Sequence, residues 1–400
     1  MVKFCRSDHA DTCAKKADYE NREGTIFMKT TIKTLFVTAM ALLTGYGCTA
    51  GLWPRPQEPK ERPYRIETVR FPGGEGSVQL EGELTMPYGD GPFPAVVFIT
   101  GSGPQDRNEK VAGHKPFLVL SDYLTRRGFA VLRYDDRGFG KSTGEYFKAT
   151  PDDFAADAAA AFALLQHHPG VDGTQIGFLG HSEGGYIAPL AARRVIDAAF
   201  MIFLAGPAKP LLSVMKDQVR DLLQSIGASE TVIAKGTQQF IKLMEILRTT
   251  DNTEEAKIQL KAYLKKEGVS TLTGKKLSWF EFYEGVRLWA SPWGKWYAAG
   301  YDPLPALKSF NRPVLALFGG TDLQVSAKEN APIMASVLMH PKSEVCVLQG
   351  LNHLFQPSES GKVEEYAKIK TTIDERALRK IGDWLETVTT PSPASDVDQK

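Results

Sequence analysis

The sequence predicts an α/β protein: a mostly parallel central sheet flanked by helices, with an inserted helical cap. Short apolar runs alternate with helical patterns along most of the chain, as expected of βαβ units around a buried sheet. The pentapeptide Gly180-His181-Ser182-Glu183-Gly184 stands between one such run and the helical pattern that follows it. From about Pro207 to Pro305 the alternation lapses into helical patterns rich in aromatics.

Arg65 to Phe71 and Val78 to Met86 read as two opening, antiparallel strands joined by Pro72-Gly73-Gly74. Ala95 to Thr100 is apolar and β-branched, as a strand buried on both faces should be. Phe117 to Arg127 reads as a helix closed by Gly128, and Ala130 to Tyr134 as the next strand. Phe154 to His167 is an alanine-rich helix stopped by Pro169-Gly170. Gln175 to Leu179 (strand), Gly184 to Val195 (helix) and Ala199 to Leu204 (strand) follow. Val314 to Phe318 and Glu344 to Leu348 resume the sheet, and a last helix runs from about Ile373 to Leu385. The expected organisation is therefore a core of residues 64–206 and 306–388, a cap of 207–305 and a polar tail of 389–400.

A chain of 400 residues, 42% hydrophobic and 24% charged, suits one large domain with an insertion. Its 48 basic and 47 acidic residues leave no electrostatic footprint for nucleic acid. Of the cysteines, Cys5, Cys13, Cys48 and Cys346, no pair has metal-ligand spacing, and His-Glu-x-x-His is absent. Neither a metal nor a structural disulfide is expected. Cys346, in an apolar run, reads as a small buried hydrophobe.

Met28 to Lys33 followed by Leu35 to Leu43 reads as a signal peptide, with a basic start and an apolar stretch too short to span a bilayer. Residues 1–27 are polar material unsuited to precede it, and Met28 is the expected initiator. The segment 28–48 ends at Gly45-Tyr46-Gly47-Cys48, which resembles a lipobox except that Gly45 replaces a leucine-like residue. Residues 49–63 are proline-rich, as in a semi-rigid spacer. The expectation is export to a bacterial cell envelope, with Cys48 as a lipidated membrane tether; without lipidation the product would be periplasmic or secreted.

Ser182 follows a strand and opens a helix, the setting in which a tight turn lifts a nucleophile to the mouth of a pocket. A serine hydroxyl needs a base. Of seven histidines, His9 lies in the leader, His167 and His168 end a helix and read as solvated, and His181 reads as packing. His340 precedes a proline and His114 sits in a loop of uncertain path. His353, in Gly350-Leu351-Asn352-His353 just past the last strand, holds the address of the base. Asp322, in Gly319-Gly320-Thr321-Asp322 after the strand Val314 to Phe318, can orient it. The alternative is that Asp322 only caps the next helix; Asp302 is a distant second choice. Backbone N–H groups of Glu183 and Ser102 are the candidate oxyanion donors. Asp106 to Glu109 read as loop-holding charges and Arg137 as a brace. Gln105, Trp279, Tyr283 and Trp289 are candidate substrate contacts, and the aromatics from Trp279 to Tyr297 read either as cap packing or as pocket lining.

Gly-His-Ser-Glu-Gly-Gly at 180–185, Arg133 to Gly144, Gly101-Ser102-Gly103-Pro104-Gln105-Asp106-Arg107 and Gly350 to Gln356 resemble bacterial α/β-hydrolases over about residues 65–388. The nearest groups are EstD-type esterases and S33-like serine aminopeptidases. The resemblance implies the α/β-hydrolase fold, Ser182, Asp322 and His353 as nucleophile, acid and base, and carboxylesterase action on short acyl esters. The expected substrate is a small-molecule or carbohydrate ester, and the mechanism needs no cofactor. A peptidase using Glu281 or Glu284 for an amino terminus, a polysaccharide deacetylase and a non-catalytic binding module are the alternatives.

Overall fold

The computed structural model describes residues 55–74, 76–195, 197–250, 252–267 and 288–389. The leader, signal segment, Cys48, Trp279, Glu281, Tyr283, Glu284 and the tail from 390 lie outside the described residues. Within each of two compact units, one comprising residues 219–290 and the other 41–218 with 291–400, only these residues are described.

The second unit holds the sheet. β1 (Arg65–Pro72) and β2 (Gln79–Met86) pair antiparallel, and β1 alternates between exposed and half-buried positions along most of its length. β3 (Phe93–Ile99), β4 (Ala130–Tyr134), β6 (Met201–Leu204) and β7 (Val314–Gly319) are almost wholly buried. Their unbroken apolar runs follow from having no solvent face. β5 (Val171–His181) extends the expected strand at both ends, and β8 (Glu344–Leu348) closes the edge. The order is β1-β2-β4-β3-β5-β6-β7-β8, parallel except at β1/β2 and β2/β4. Because β8 is an edge, Cys346 is half-buried, not buried as its apolar neighbours suggest.

Helices α1 (Pro116–Arg126), α2 (Pro151–Gln166) and α3 (Gly184–Ala192) follow β3, β4 and β5. Thr150 and Asp153 close a capping box on α2, satisfying N–H groups that its alanine-rich body cannot. α4 (Leu211–Ser225) follows β6. In the helical unit, α5 (Glu230–Thr249) buries Phe240, Leu243, Met244 and Leu247, and α6 (Thr253–Lys266) buries Ala256, Leu260 and Leu264. The i, i+3, i+4 spacing gives each helix one apolar stripe, and the two pack together.

α7 (Pro292–Ala298) and α8 (Leu304–Ser309) belong to the sheet unit, so the helical unit is 219–290 rather than 207–305. The burial of Trp293 and Tyr297, described below, accounts for the difference. α9 (Ala327–Val337), α10 (Val363–Tyr366) and α11 (Glu375–Val388) complete the chain, and α11 packs on α1. Among the described residues no helix is long and apolar enough to cross a membrane.

The described part of the proline-rich segment is docked. The Arg55 guanidinium donates to the carbonyls of Ile369 (2.8 Å), Ala367 (2.9 Å), Ala112 (3.1 Å) and Gly113 (3.3 Å). Gln57 donates to Ile373 O at 2.7 Å. A rigid fork of five donors suits such a carbonyl cluster.

The strand ends set up the site. Ile99 pairs with Gly180, His181 with Leu204, Leu204 with Leu317, and Gly319 with Leu348. The loops after β3, β5, β7 and β8 therefore leave the sheet side by side at its carboxyl edge, where open α/β sheets bind ligands.

Candidate active site

β5 ends at His181 and α3 begins at Gly184, leaving two residues to reverse the chain. Ser182 takes φ +51°, a left-handed conformation that a non-glycine residue adopts at a cost. Its N–H donates to Leu204 O and its carbonyl accepts from Gly185 N, both at 2.9 Å. The glycines are sterically required. A Cβ at Gly180 would lie 2.2 Å from Gly184 O, and one at Gly184 would lie 2.4 Å from Ile99 O. Half-buried Ser182 thus stands on a turn clamped between β3 and α3, at the electropositive end of that helix.

Asp322 and His353 come together from the loops after β7 and β8. His353 Nδ1 lies 2.8 Å from Asp322 Oδ2, with both residues buried. The other carboxylate oxygen accepts from Gln324 N (2.7 Å) and Val325 N (3.0 Å). The capping alternative is therefore partly realised: Asp322 closes the turn before α9 with one oxygen and orients the histidine with the other. Asn352 Oδ1 accepts from the N–H groups of Leu354 and Gln356, at 3.0 Å each, which fixes the turn carrying His353. A carboxylate on Nδ1 puts the neutral ring's proton there and leaves Nε2 as the basic atom.

The loop after β3 is anchored on each side of Ser102. Gly101 N donates to Glu109 Oε1 (2.7 Å) and Gly103 N to the Tyr146 hydroxyl (2.9 Å). Asp136 accepts from Thr100 Oγ1 (2.8 Å) and Gln105 N (2.8 Å), and burial pushes its carboxyl well up. A Cβ at Gly101 would sit 3.3 Å from Ser182 Cβ, so this loop lies against the elbow. Gln105 is buried, with its amide turned toward Ser102 O at 3.5 Å, which makes it part of the loop's framework. Arg107 pairs with Asp135 (2.7 Å) and Glu81 (3.1 Å), and Arg137 with buried Asp157 (2.7 Å). Trp289, a residue of the helical unit, is buried.

Four side chains take parts that their sequence did not reveal. His181, expected to pack, is polar on both ring nitrogens: Nδ1 faces Glu109 Oε1 (2.8 Å) and Nε2 faces His353 O (3.1 Å). Burial opposes its charge, but Glu109 and the His353 carbonyl outweigh it and hold the imidazole above its ordinary range. Glu183, chosen for its N–H, also accepts at Oε1 from Trp293 Nε1 (2.5 Å) and Tyr297 Oη (2.8 Å), while burial raises its carboxyl. Trp293 and Tyr297 sit one turn apart on α7, so one carboxylate gathers the polar tips of both. His168, expected to be solvated, lies 3.3 Å from Glu67. Buried His114 meets Thr372 Oγ1 and Tyr366 O at 2.9 Å each.

A family model described as serine aminopeptidase, S33, matches residues 115–263, which include Ser182 and end before Asp322 and His353. Esterase EstD of Thermotoga maritima is 29% identical over 355 residues, covering 87% of this chain and 76% of that protein. A non-heme haloperoxidase of Rhodococcus erythropolis is 25% identical over 238 residues, covering 58% of this chain and 78% of that one. Hypothetical protein PA2218 of Pseudomonas aeruginosa superposes with a TM-score of 0.52 at 15% identity, covering 83% of this chain and 96% of that one. The α/β hydrolase GrgF of Penicillium sp. sh18 gives 0.50 at 17% identity, covering 81% and 98%. These two likenesses concern the fold. Sheet order and elbow give the chain the α/β-hydrolase fold, and its sequence is similar to the serine aminopeptidase S33 family and to the esterase EstD.

Proposed function

We propose that the chain is an exported serine carboxylesterase, acting through Ser182, His353 and Asp322. The observation that carries this reading is the buried 2.8 Å contact between His353 Nδ1 and Asp322 Oδ2, on loops that emerge beside the strained elbow of Ser182. His353 Nε2 takes the Ser182 proton as Oγ attacks the acyl carbonyl. The N–H groups of Ser102 and Glu183 receive the oxyanion. Collapse expels the alcohol, which takes its proton from His353, and water activated by the same ring releases the acid. The likeness to EstD supports an ester over an amide. Export, with Cys48 as tether, rests on the apolar segment and the lipobox-like Gly45 to Cys48.

The S33 description of the matched family model favours one second reading, a peptidase with the same residues and a free amino terminus held by Glu281 or Glu284. Turnover of a nitrophenyl acyl ester against an amino-acid arylamide separates the two. Ser182→Ala, correctly folded, should lose ester turnover by orders of magnitude and no longer react with a fluorophosphonate. Near wild-type turnover in that variant would overturn the assignment.

A further inference from the structure

We propose that Glu109 and His181 are a positioning pair, holding the oxyanion loop, the elbow and the base loop in one register for acyl transfer; this rests on the Ser182 reading. Glu109 Oε1 accepts from Gly101 N at 2.7 Å, on the residue before Ser102, and from His181 Nδ1 at 2.8 Å. His181 precedes Ser182, and its Nε2 donates to the carbonyl of His353 at 3.1 Å. One carboxylate and one ring therefore touch all three loops that carry the proposed machinery. His353 is held at both ends, its ring by Asp322 and its backbone by His181.

The His353 carbonyl can only accept, so His181 Nε2 carries a proton; against an ionised Glu109 carboxylate Nδ1 donates as well, and the ring is then fastened at both nitrogens. Glu109 and His181 are 2% and 6% exposed, which shields their contacts from bulk solvent. The titratable groups around the His181 ring are Glu109, the His353 ring at 4.8 Å between centroids, and Asp322 through its charge. A small cavity beside the pair is otherwise lined by apolar residues, among them Phe117, Leu204 and Leu354. Glu109 itself takes φ +52°, a strained conformation for a non-glycine residue that the fold must over-determine.

Stability alone is a poor reason for this arrangement. A buried ion pair is often no more stabilising than well-packed apolar groups of the same volume. What apolar groups cannot supply is directional contact to an N–H of one loop and a C=O of another. A misplacement of about 1 Å at a reacting centre can cost about 10²-fold in rate.

The test compares full-length Glu109→Gln, His181→Gln, their double variant, Ser182→Ala and Arg127→Ala. The last removes ion pairs from Arg127 to Asp383 and Glu386, remote from the proposed machinery. Each is assayed with nitrophenyl acetate, by rate of fluorophosphonate labelling and by thermal midpoint. Glu109→Gln and His181→Gln should each lower kcat about 10- to 100-fold, with KM within about twofold and labelling slowed in parallel. The double variant should be no slower than the slower single one. Arg127→Ala should lower the midpoint without moving kcat. If His181→Gln yields no folded protein, Glu109→Gln and Glu109→Asp decide the matter, with Asp expected to recover part of the rate. Unchanged kcat in folded Glu109→Gln, or losses that multiply in the double variant, would overturn the positioning role. Persistent turnover in Ser182→Ala would instead overturn the reading beneath it.

Discussion

Two histidine–carboxylate pairs lie side by side at the carboxyl edge of the sheet, and they are alike by distance. His353 meets Asp322 and His181 meets Glu109, each through Nδ1 at 2.8 Å and each buried. The other nitrogen separates them. In His181 it is committed to a backbone carbonyl, so that nitrogen must donate and is closed to a nucleophile's proton. In His353 the single carboxylate contact fixes the tautomer in which Nε2 can take a proton. Pairs alike in distance are thus suited to different parts, the one to the proposed base and the other to the proposed fastener.

The largest effect should come from His353→Ala, which removes the proposed base: ester turnover should fall by about 10⁴-fold or more while the thermal midpoint stays within a few degrees. A loss as small as that of the Glu109 variant would erase the contrast between the pairs. Asp322→Asn keeps the shape but favours the wrong tautomer, so kcat should fall on the order of 10³- to 10⁴-fold. That loss should exceed the loss for Glu109→Gln on the same substrate; the reverse order would exchange the two roles.

A third experiment extends the comparison to Glu183. Trp293→Phe or Tyr297→Phe removes a donor from its buried Oε1. Each should cost about 1.5–3 kcal/mol in denaturant unfolding, as for hydrogen bonds to a charged group, and at most a few-fold in kcat.

The smallest effect concerns His114, a buried histidine without a carboxylate, whose imidazole burial lowers to about 4. A folded value below the unfolded one of about 6.5 means that the unfolded chain binds the extra proton first. The stability from neutral His114 is full above that range and drains as pH falls toward 4. Between pH 6.5 and 5.5 the unfolding free energy should drop by about 1 kcal/mol more in the wild type than in His114→Gln. Equal slopes would show that His114 does not titrate differently on folding.

Legibility in the sequence followed the reach of each interaction. The elbow is local: strand, two-residue turn and helix fall within about twenty positions, and Gly180 and Gly184 report backbone crowding that the structure makes explicit. Asp322 and His353 could be placed because each follows a recognisable strand, although nothing in their own neighbourhoods shows that they meet. Glu109 and His181 are 72 residues apart, Glu183 and Trp293 110, and Arg55 and Ile369 314. No periodicity links such partners. The helical unit shows a milder shortfall: its amphipathic spacing was readable, but its limits were set by which aromatics find buried partners, and Trp293 and Tyr297 find theirs at Glu183.

By itself the sequence determined the α/β class, the strained turn at Ser182 and the chain order Ser182, Asp322, His353, because strand and helix periods and close-packed glycines are properties of neighbouring residues. Tertiary structure alone decided which histidine is held at one nitrogen and which at both. That choice depends on where a distant carboxylate and a distant carbonyl come to rest, and only the assembled sheet brings them together.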